Sequence, residues 1–234
     1  MESVRAWAAA AGHAYRFEGD TLFDRLPAWV RAKTEARPMV AADLARLLWL
    51  ESVTSDEGQP AIWLDADVLV TDPAGLSAAL DLADGYLLGR ETWVQPDRRG
   101  RPRVRRGIHN ALVAATPGTA FVPFYIEAAT RVLARHDGPM VPQLIGPKLL
   151  ALWDNAFGLP ATPAVNMASP LLLADLSLGG GPALDAFRAA CDPCWPPAVN
   201  LCGSCRGRRV DGVSVDDALL AAAQARLRAA GSGG

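Results

Sequence analysis

Two aspartates with one residue between them, Asp65 and Asp67, close the apolar run Ile62-Trp63-Leu64. Side chains along a strand alternate faces, so residues two apart point the same way. Two hard oxygen ligands at a strand end can hold Mg²⁺ or Mn²⁺ and leave coordination positions open for substrate phosphates. A solvated strand end is the plainer explanation of the same residues. The buried-type strand before them, and Val68-Leu69-Val70 after them, favour the metal. Upstream, Asp43 and Arg46 stand three apart in VAADLARLLWL. On a helix surface such a pair is worth only about 0.2–0.5 kcal/mol, and it gains interest because an Asp-X-Asp follows.

Two other clusters could do chemistry. Cys191, Cys194, Cys202 and Cys205 all fall within CDPCWPPAVNLCGSC. Two C-x-x-C pairs are the pattern of a structural four-thiolate Zn²⁺ site, although the seven-residue connection is short for one. Free thiols are the alternative. Asn200, within the same segment, is a candidate to face the site of Asp65 and Asp67. The stretch QPDRRGRPRVRRG (95–107) carries Arg98, Arg99, Arg101, Arg103, Arg105 and Arg106. It reads as a solvated polar loop, with a second reading as a clamp for a diphosphate or an anionic, lipid-linked phosphate acceptor. Aromatic residues are not interleaved with these arginines, which argues against nucleic acid.

The 234 residues are half hydrophobic and carry a formal net charge of −2. That is enough chain for a sizeable core, and it shows no overall basic excess for nucleic acid or an anionic surface. No apolar run reaches the roughly 20 residues of a membrane span, and the start lacks a cationic leader with a long apolar region. The expectation is a soluble cytoplasmic protein with reduced cysteines and no transmembrane segment, for which peripheral membrane contact stays open.

The elements that must position these residues follow from periodicity and turn residues. Helices are expected over Glu2–Ala11, around Leu22–Thr34 with a break or start at Pro27, after Pro38 over Met39–Val53, and over Pro73–Leu82, Ala120–Arg135, Pro147–Asn155 and Val215–Ala230. Strands are expected at His13–Phe17, Ile62–Leu64, Gly85–Leu88 and Ile108–Ala115. Leu171–Leu178 suits a helix or a strand, and Cys191–Cys205 reads as irregular. Strands alternating with helices predict an α/β layer fold with a mainly parallel sheet. A single domain over 1–230 is expected, containing the cysteine-rich 191–205, with 231–234 as a flexible tail.

DADVLVTD imitates the aspartate motif of haloacid-dehalogenase-type phosphatases, with Lys148 and Asp216-Asp217 available for later roles. Its position about sixty residues into the chain disfavours that reading. The combination Asp43-x-x-Arg46 followed by IWLDADVLVTDP resembles the metal-dependent sugar transferases of glycosyltransferase family 32, and related capsular-polysaccharide and toxin-like enzymes. GIHNALVAATPG (107–118) and IGPKLL (145–150) resemble that family's later segments, so the likeness spans most of residues 3–178. It implies a GT-A fold, the Rossmann-like single domain of nucleotide-diphospho-sugar transferases.

Carried over by position, the resemblance implies that Asp67 coordinates Mn²⁺ or Mg²⁺ directly. Asp65 would contact the donor ribose and share the metal, and Asp43 and Arg46 would bind the sugar and diphosphate. Asn110 would hold the sugar or acceptor. The implied reaction is a retaining transfer from a nucleotide-sugar donor to a glycan or lipid-linked acceptor, with no catalytic base assigned. His109 is expected to be a hydrogen-bonded structural residue. The chain starts at what resembles the first helix of such a domain, so the first strand is expected to be lacking. A degenerate, non-catalytic sugar-transferase-like binding domain is therefore the alternative.

Overall fold

Five helices begin on a proline: Pro38, Pro73, Pro147, Pro170 and Pro182. Proline suits this position because its fixed φ is already helical and its missing N–H would have had no partner. In the computed structural model, which describes residues 1–231, the chain runs α1 (Glu2–Ala10), α2 (Ala28–Thr34), α3 (Pro38–Glu51), β1 (Ala61–Leu64), β2 (Val68–Val70) and α4 (Pro73–Ala78). Next come β3 (Tyr86–Pro96), β4 (Pro102–Ala115), α5 (Phe121–Arg135), α6 (Pro147–Phe157), β5 (Ala161–Thr162) and β6 (Val165–Met167). The last elements are α7 (Pro170–Leu178), α8 (Pro182–Cys191), β7 (Ala198–Asn200), β8 (Arg208–Val210), β9 (Val213–Val215) and α9 (Asp217–Gly231). Of the expected tail, Gly231 ends α9 and 232–234 lie outside the described residues.

The architecture is mixed α/β. One sheet has the order β1-β4-β3-β5, a second β2-β7-β6, and β8-β9 form a separate ribbon. The expected mainly parallel sheet is corrected: β1–β4, β3–β4, β2–β7 and β8–β9 are antiparallel, and only β3–β5 and β6–β7 are parallel. The reason is the expected polar loop 95–107, which is instead the end of a long β-hairpin. Val94 and Val104 are cross-strand partners in it. Arg101, Arg103 and Arg105 on one face, with Pro102 and Arg106 flanking Val104 on the other, hid the period-two strand pattern.

The expected strand His13–Phe17 is irregular. Its side chains are used individually: Tyr15 lies under Arg5, Arg16 pairs with Glu57, and Phe17 is exposed. Leu171–Leu178 resolves as helix within α7, and the segment read as irregular contains β7. No helix among the described residues is long and apolar enough to cross a membrane.

The alternation along β1 decides where the aspartates go. Ala61 and Trp63 face a core built by α3, α5 and α6, including Leu44, Leu47, Tyr125 and Leu150. Ile62 and Leu64 face a second core with Trp7 of α1, Val68 and Val70 of β2, and Val165 of β6. A third core joins α7, α8 and α9 to Val94, Val199 and Val215. Continuing the alternation, Asp65 falls on the side of Trp63 and α3. The backbone still pairs there, since Asp65 N–H donates to the Ala111 carbonyl at 2.9 Å. Beyond it the chain turns into β2, and Asp67 is delivered to β7.

Candidate active site

Asp65 ends in a network of charges. Its Oδ1 accepts from Trp63 Nε1 at 2.7 Å and lies 2.9 Å from Arg46 Nη1. Arg46 also pairs with Asp43 at 3.3 Å, donates to the Asn110 carbonyl at 2.5 Å, and sits 5.7 Å from the Trp63 ring centre. Asn110 Nδ2 in turn donates to Asp43 Oδ1 at 2.8 Å. The side chains of Asp43 and Arg46 are each only 8% exposed, against 26% for Asp65. The surface ion pair considered for Asp43 and Arg46 is instead a buried pair, with Asp65 as the outward partner of Arg46. Burial pushes the Asp43 carboxyl up to about 6, against the opposing pull of Arg46 and Asn110.

The segment IGPKLL joins this network through Gly146. A Cβ there would come within 2.6 Å of Asp43 Oδ2 and 3.0 Å of Asn110 Nδ2. That close approach alone calls for a glycine here. The adjacent Ile145 carbonyl accepts from Tyr125 Oη at 2.8 Å, which fixes the start of α6 against α5. Sequence positions 43, 46, 65, 110 and 146 thus converge on one point.

Asp67 is held differently. Its Oδ1 accepts from Asn200 Nδ2 and its Oδ2 from Gly203 N–H, both at 2.6 Å. Its carbonyl accepts from Leu201 N–H at 3.0 Å. Asn200 closes the loop by accepting from Cys202 N–H at 2.7 Å, with Cys202 in the left-handed region at φ 50. A non-glycine residue there is uncommon and is kept only when its surroundings fix it. Burial, and secondarily the neighbouring Asp65 charge, raise the Asp67 pKa despite three hydrogen-bond contributions that lower it.

His109 is the expected structural residue. It is buried, its Nδ1 accepts from Ala111 N–H, and its Nε2 lies 2.8 Å from the Val165 carbonyl, which makes Nε2 the protonated nitrogen. Burial lowers its pKa to about 4. Its ring fills the space over Gly89, where any Cβ would collide with it, beside the register shift at Leu88/Gly89.

The four cysteines are free thiols and are not gathered as a ligand set: among the described residues no three His, Cys, Asp or Glu are grouped to hold a metal ion. Cys202 is buried behind Asp67, Cys191 and Cys205 pack beside the third core, and Cys194 is exposed. Burial raises the pKa of Cys191, Cys202 and Cys205. Asp216 and Asp217 are engaged at the start of α9, with Leu219 N–H and Arg206 respectively.

The sequence reading missed Trp63, Gly203 and Glu91. Trp63 was legible in principle, because it lies two residues before Asp65 on the same strand face. Glu91 is half-buried on β3 opposite Gly107, and burial lifts its pKa to about 7 against the pull of Arg105. No protein-family model matches the chain, and no curated protein or solved structure matches it either.

Proposed function

We propose that the chain is a divalent-cation-dependent glycosyltransferase with a GT-A-like arrangement, moving a sugar from a nucleotide-sugar donor to a glycan or lipid-linked acceptor. One observation carries this reading: Asp43, Arg46, Asn110 and Gly146 converge on Asp65, with Asp67 two residues further on. Asp43, Arg46, Asp65, Asp67 and Asn110 are the positions where the resemblance to family 32 puts the donor site.

The donor set suits Mg²⁺ or Mn²⁺. Asp65 and Asp67 offer hard carboxylate oxygens, and such cations often use only one or two carboxylates with water and substrate phosphates completing the shell. Each Asp67 carboxylate oxygen keeps a lone pair beyond the one hydrogen bond it accepts. Burial and then the Asp65 charge raise the Asp67 pKa, and a cation held by these carboxylates would offset both. When bound, the cation supplies charge neutralisation for the departing nucleoside diphosphate.

The chain's own residues do the remaining work. Arg46 and Trp63 fix the Asp65 carboxylate so that no reorganisation is needed when a donor arrives. Asp43 and Asn110 act behind them, holding Arg46 through the carboxylate and the main-chain carbonyl. Asn200 and Gly203 hold Asp67. A retaining outcome belongs to the same proposal.

A second reading, a sugar-transferase-like domain without catalysis, is favoured by both Asp67 oxygens already accepting hydrogen bonds. Mn²⁺-dependent release of nucleoside diphosphate from a panel of nucleotide sugars separates the two. Turnover that falls at least a hundredfold, about 2.7 kcal/mol in barrier, in Asp67→Asn or on chelation supports the enzyme. Nucleotide binding without turnover supports the second reading. Turnover indifferent to both changes contradicts the proposal.

A further inference from the structure

The end of the β3–β4 hairpin is a built cationic surface. The strands stay paired to Pro96↔Pro102, and the five residues between are fixed by Asp97. Its Oδ1 accepts from Arg99 N–H at 2.7 Å and Arg101 N–H at 2.9 Å, its own N–H donates to the Arg101 carbonyl at 2.8 Å, and Gly100 takes the required positive φ of 75°. One face of the hairpin is covered, since Val94 and Val104 pack with Ala183, Leu184 and Phe187 of α8. Arg106, on the Val104 side, donates to the Ala190 carbonyl at the end of α8.

By alternation, Arg101, Arg103 and Arg105 occupy the other face, where their cross-strand partners are Pro-flanked Asp97, Gln95 and Trp93. All six arginines are exposed, and Asp97 is the one acid in the stretch 95–107. Arg98, Arg99, Arg101 and Arg103 line a shallow concavity at the tip. Such an array lies on a chain whose net charge is −2, so the remainder is acidic.

We propose that this hairpin end docks the protein electrostatically on an anionic phospholipid surface. Val94 is the last fully buried residue of β3, and the turn lies three to four residues, roughly 10 Å, beyond it. That reach exceeds the Debye length of about 8 Å at physiological salt. The tip therefore feels a negatively charged plane while the acidic remainder is screened from it. A long single-stranded nucleic acid would lack a ladder of aromatics to stack on, because Trp93 is the one aromatic on this face. Clusters of four to eight arginines or lysines are what phosphate headgroups attract, and forked guanidinium groups suit phosphate oxygens. The large exposed apolar side chains of the described residues lie elsewhere, so adsorption here is by charge and not by insertion.

The inference is independent of sugar transfer, because its readout is partitioning. Co-sedimentation with phosphatidylcholine vesicles containing phosphatidylglycerol, against phosphatidylcholine alone, tests it on the full chain. Binding is expected to the anionic vesicles only and to weaken as salt rises. Each arginine is worth about fivefold in partitioning, so replacing Arg98, Arg99, Arg101 and Arg103 together by Gln should lower it by about two orders of magnitude or more. Circular dichroism should be unchanged, since all four side chains are exposed, and Arg131→Gln on α5 should partition nearly as the parent does. Equal binding to neutral vesicles, unchanged binding by the fourfold variant, or binding of single-stranded oligonucleotide without vesicle binding would overturn the proposal.

Discussion

Asp65 and Asp67 stand two residues apart, yet they are held by opposite kinds of group. Asp65 rests on a guanidinium that also serves Asp43, and the elements supplying these partners lie in α3, β1 and β4. Asp67 rests on a side-chain amide and a backbone N–H from the segment after β7. The first carboxylate therefore has its countercharge built in, whereas the second has only neutral donors. Burial, and secondarily the Asp65 charge, raises the Asp67 pKa, with no cation among the described residues to offset it. The pair is asymmetric: Asp65 is a fixed point, and Asp67 is the carboxylate that a cation would complete.

The largest effect should come from removing the built-in countercharge. Arg46→Met leaves Asp43 and Asp65 without it in a buried setting, and a loss of about 3–5 kcal/mol is expected. Denaturant unfolding would read this as a large fall in midpoint. On the Asp67 side, Asn200→Ala deletes one neutral donor, for which about 1–3 kcal/mol is expected. Equal losses for the two variants would break the comparison between charged and neutral support.

Gly146→Ala tests how tightly the Asp65 side is packed. The added methyl meets Asp43 Oδ2 at 2.6 Å, so a cost of about 1–3 kcal/mol is expected by thermal or denaturant unfolding. Gly203→Ala on the Asp67 side meets Oδ2 at a looser 3.2 Å, and should cost less. The reverse order would show that the two cradles differ in some way other than packing.

An effect confined to part of the pH range concerns Glu91, whose carboxyl is raised from 4.5 to about 7 by burial. A carboxyl with a raised folded pKa stabilises fully below the unfolded value, and that contribution is lost as pH rises through the folded one. Glu91→Gln should therefore gain on the parent between pH 4.5 and 7, by up to about 1–3 kcal/mol at pH 8. His109 has the opposite sign. Its pKa is lowered from 6.5 to about 4, so its contribution disappears as pH falls through that window. A parent whose stability is flat from pH 4 to 8 would contradict these assignments unless the two cancelled, and the flat profile would then tilt in Glu91→Gln.

The sequence made the Asp65 side far more legible than the Asp67 side, for a physical reason. Asp43, Arg46, Asp65, Asn110 and Gly146 each lie in or beside a strongly patterned helix or strand, so periodicity locates them. The Asp67 partners lie around β7, a three-residue strand followed by an irregular turn. Neither a period nor a turn signature announces such a segment, and four cysteines there suggested a metal instead. Asn200 was nonetheless visible as a polar residue in that stretch. The hairpin failed for another reason: arginine can occupy a strand face exposed to solvent, and a run of arginines resembles a loop.

The most direct measurement is an electron paramagnetic resonance titration of Mn²⁺ with and without a nucleoside diphosphate, on the parent and on Asp67→Asn. The asymmetric pair predicts Mn²⁺ binding that strengthens when the diphosphate is present. Asp67→Asn should lose it while Arg46 keeps Asp65 in place and circular dichroism stays the same. Mn²⁺ bound equally by both proteins, or by neither with the diphosphate present, would contradict the cation site on which the account rests.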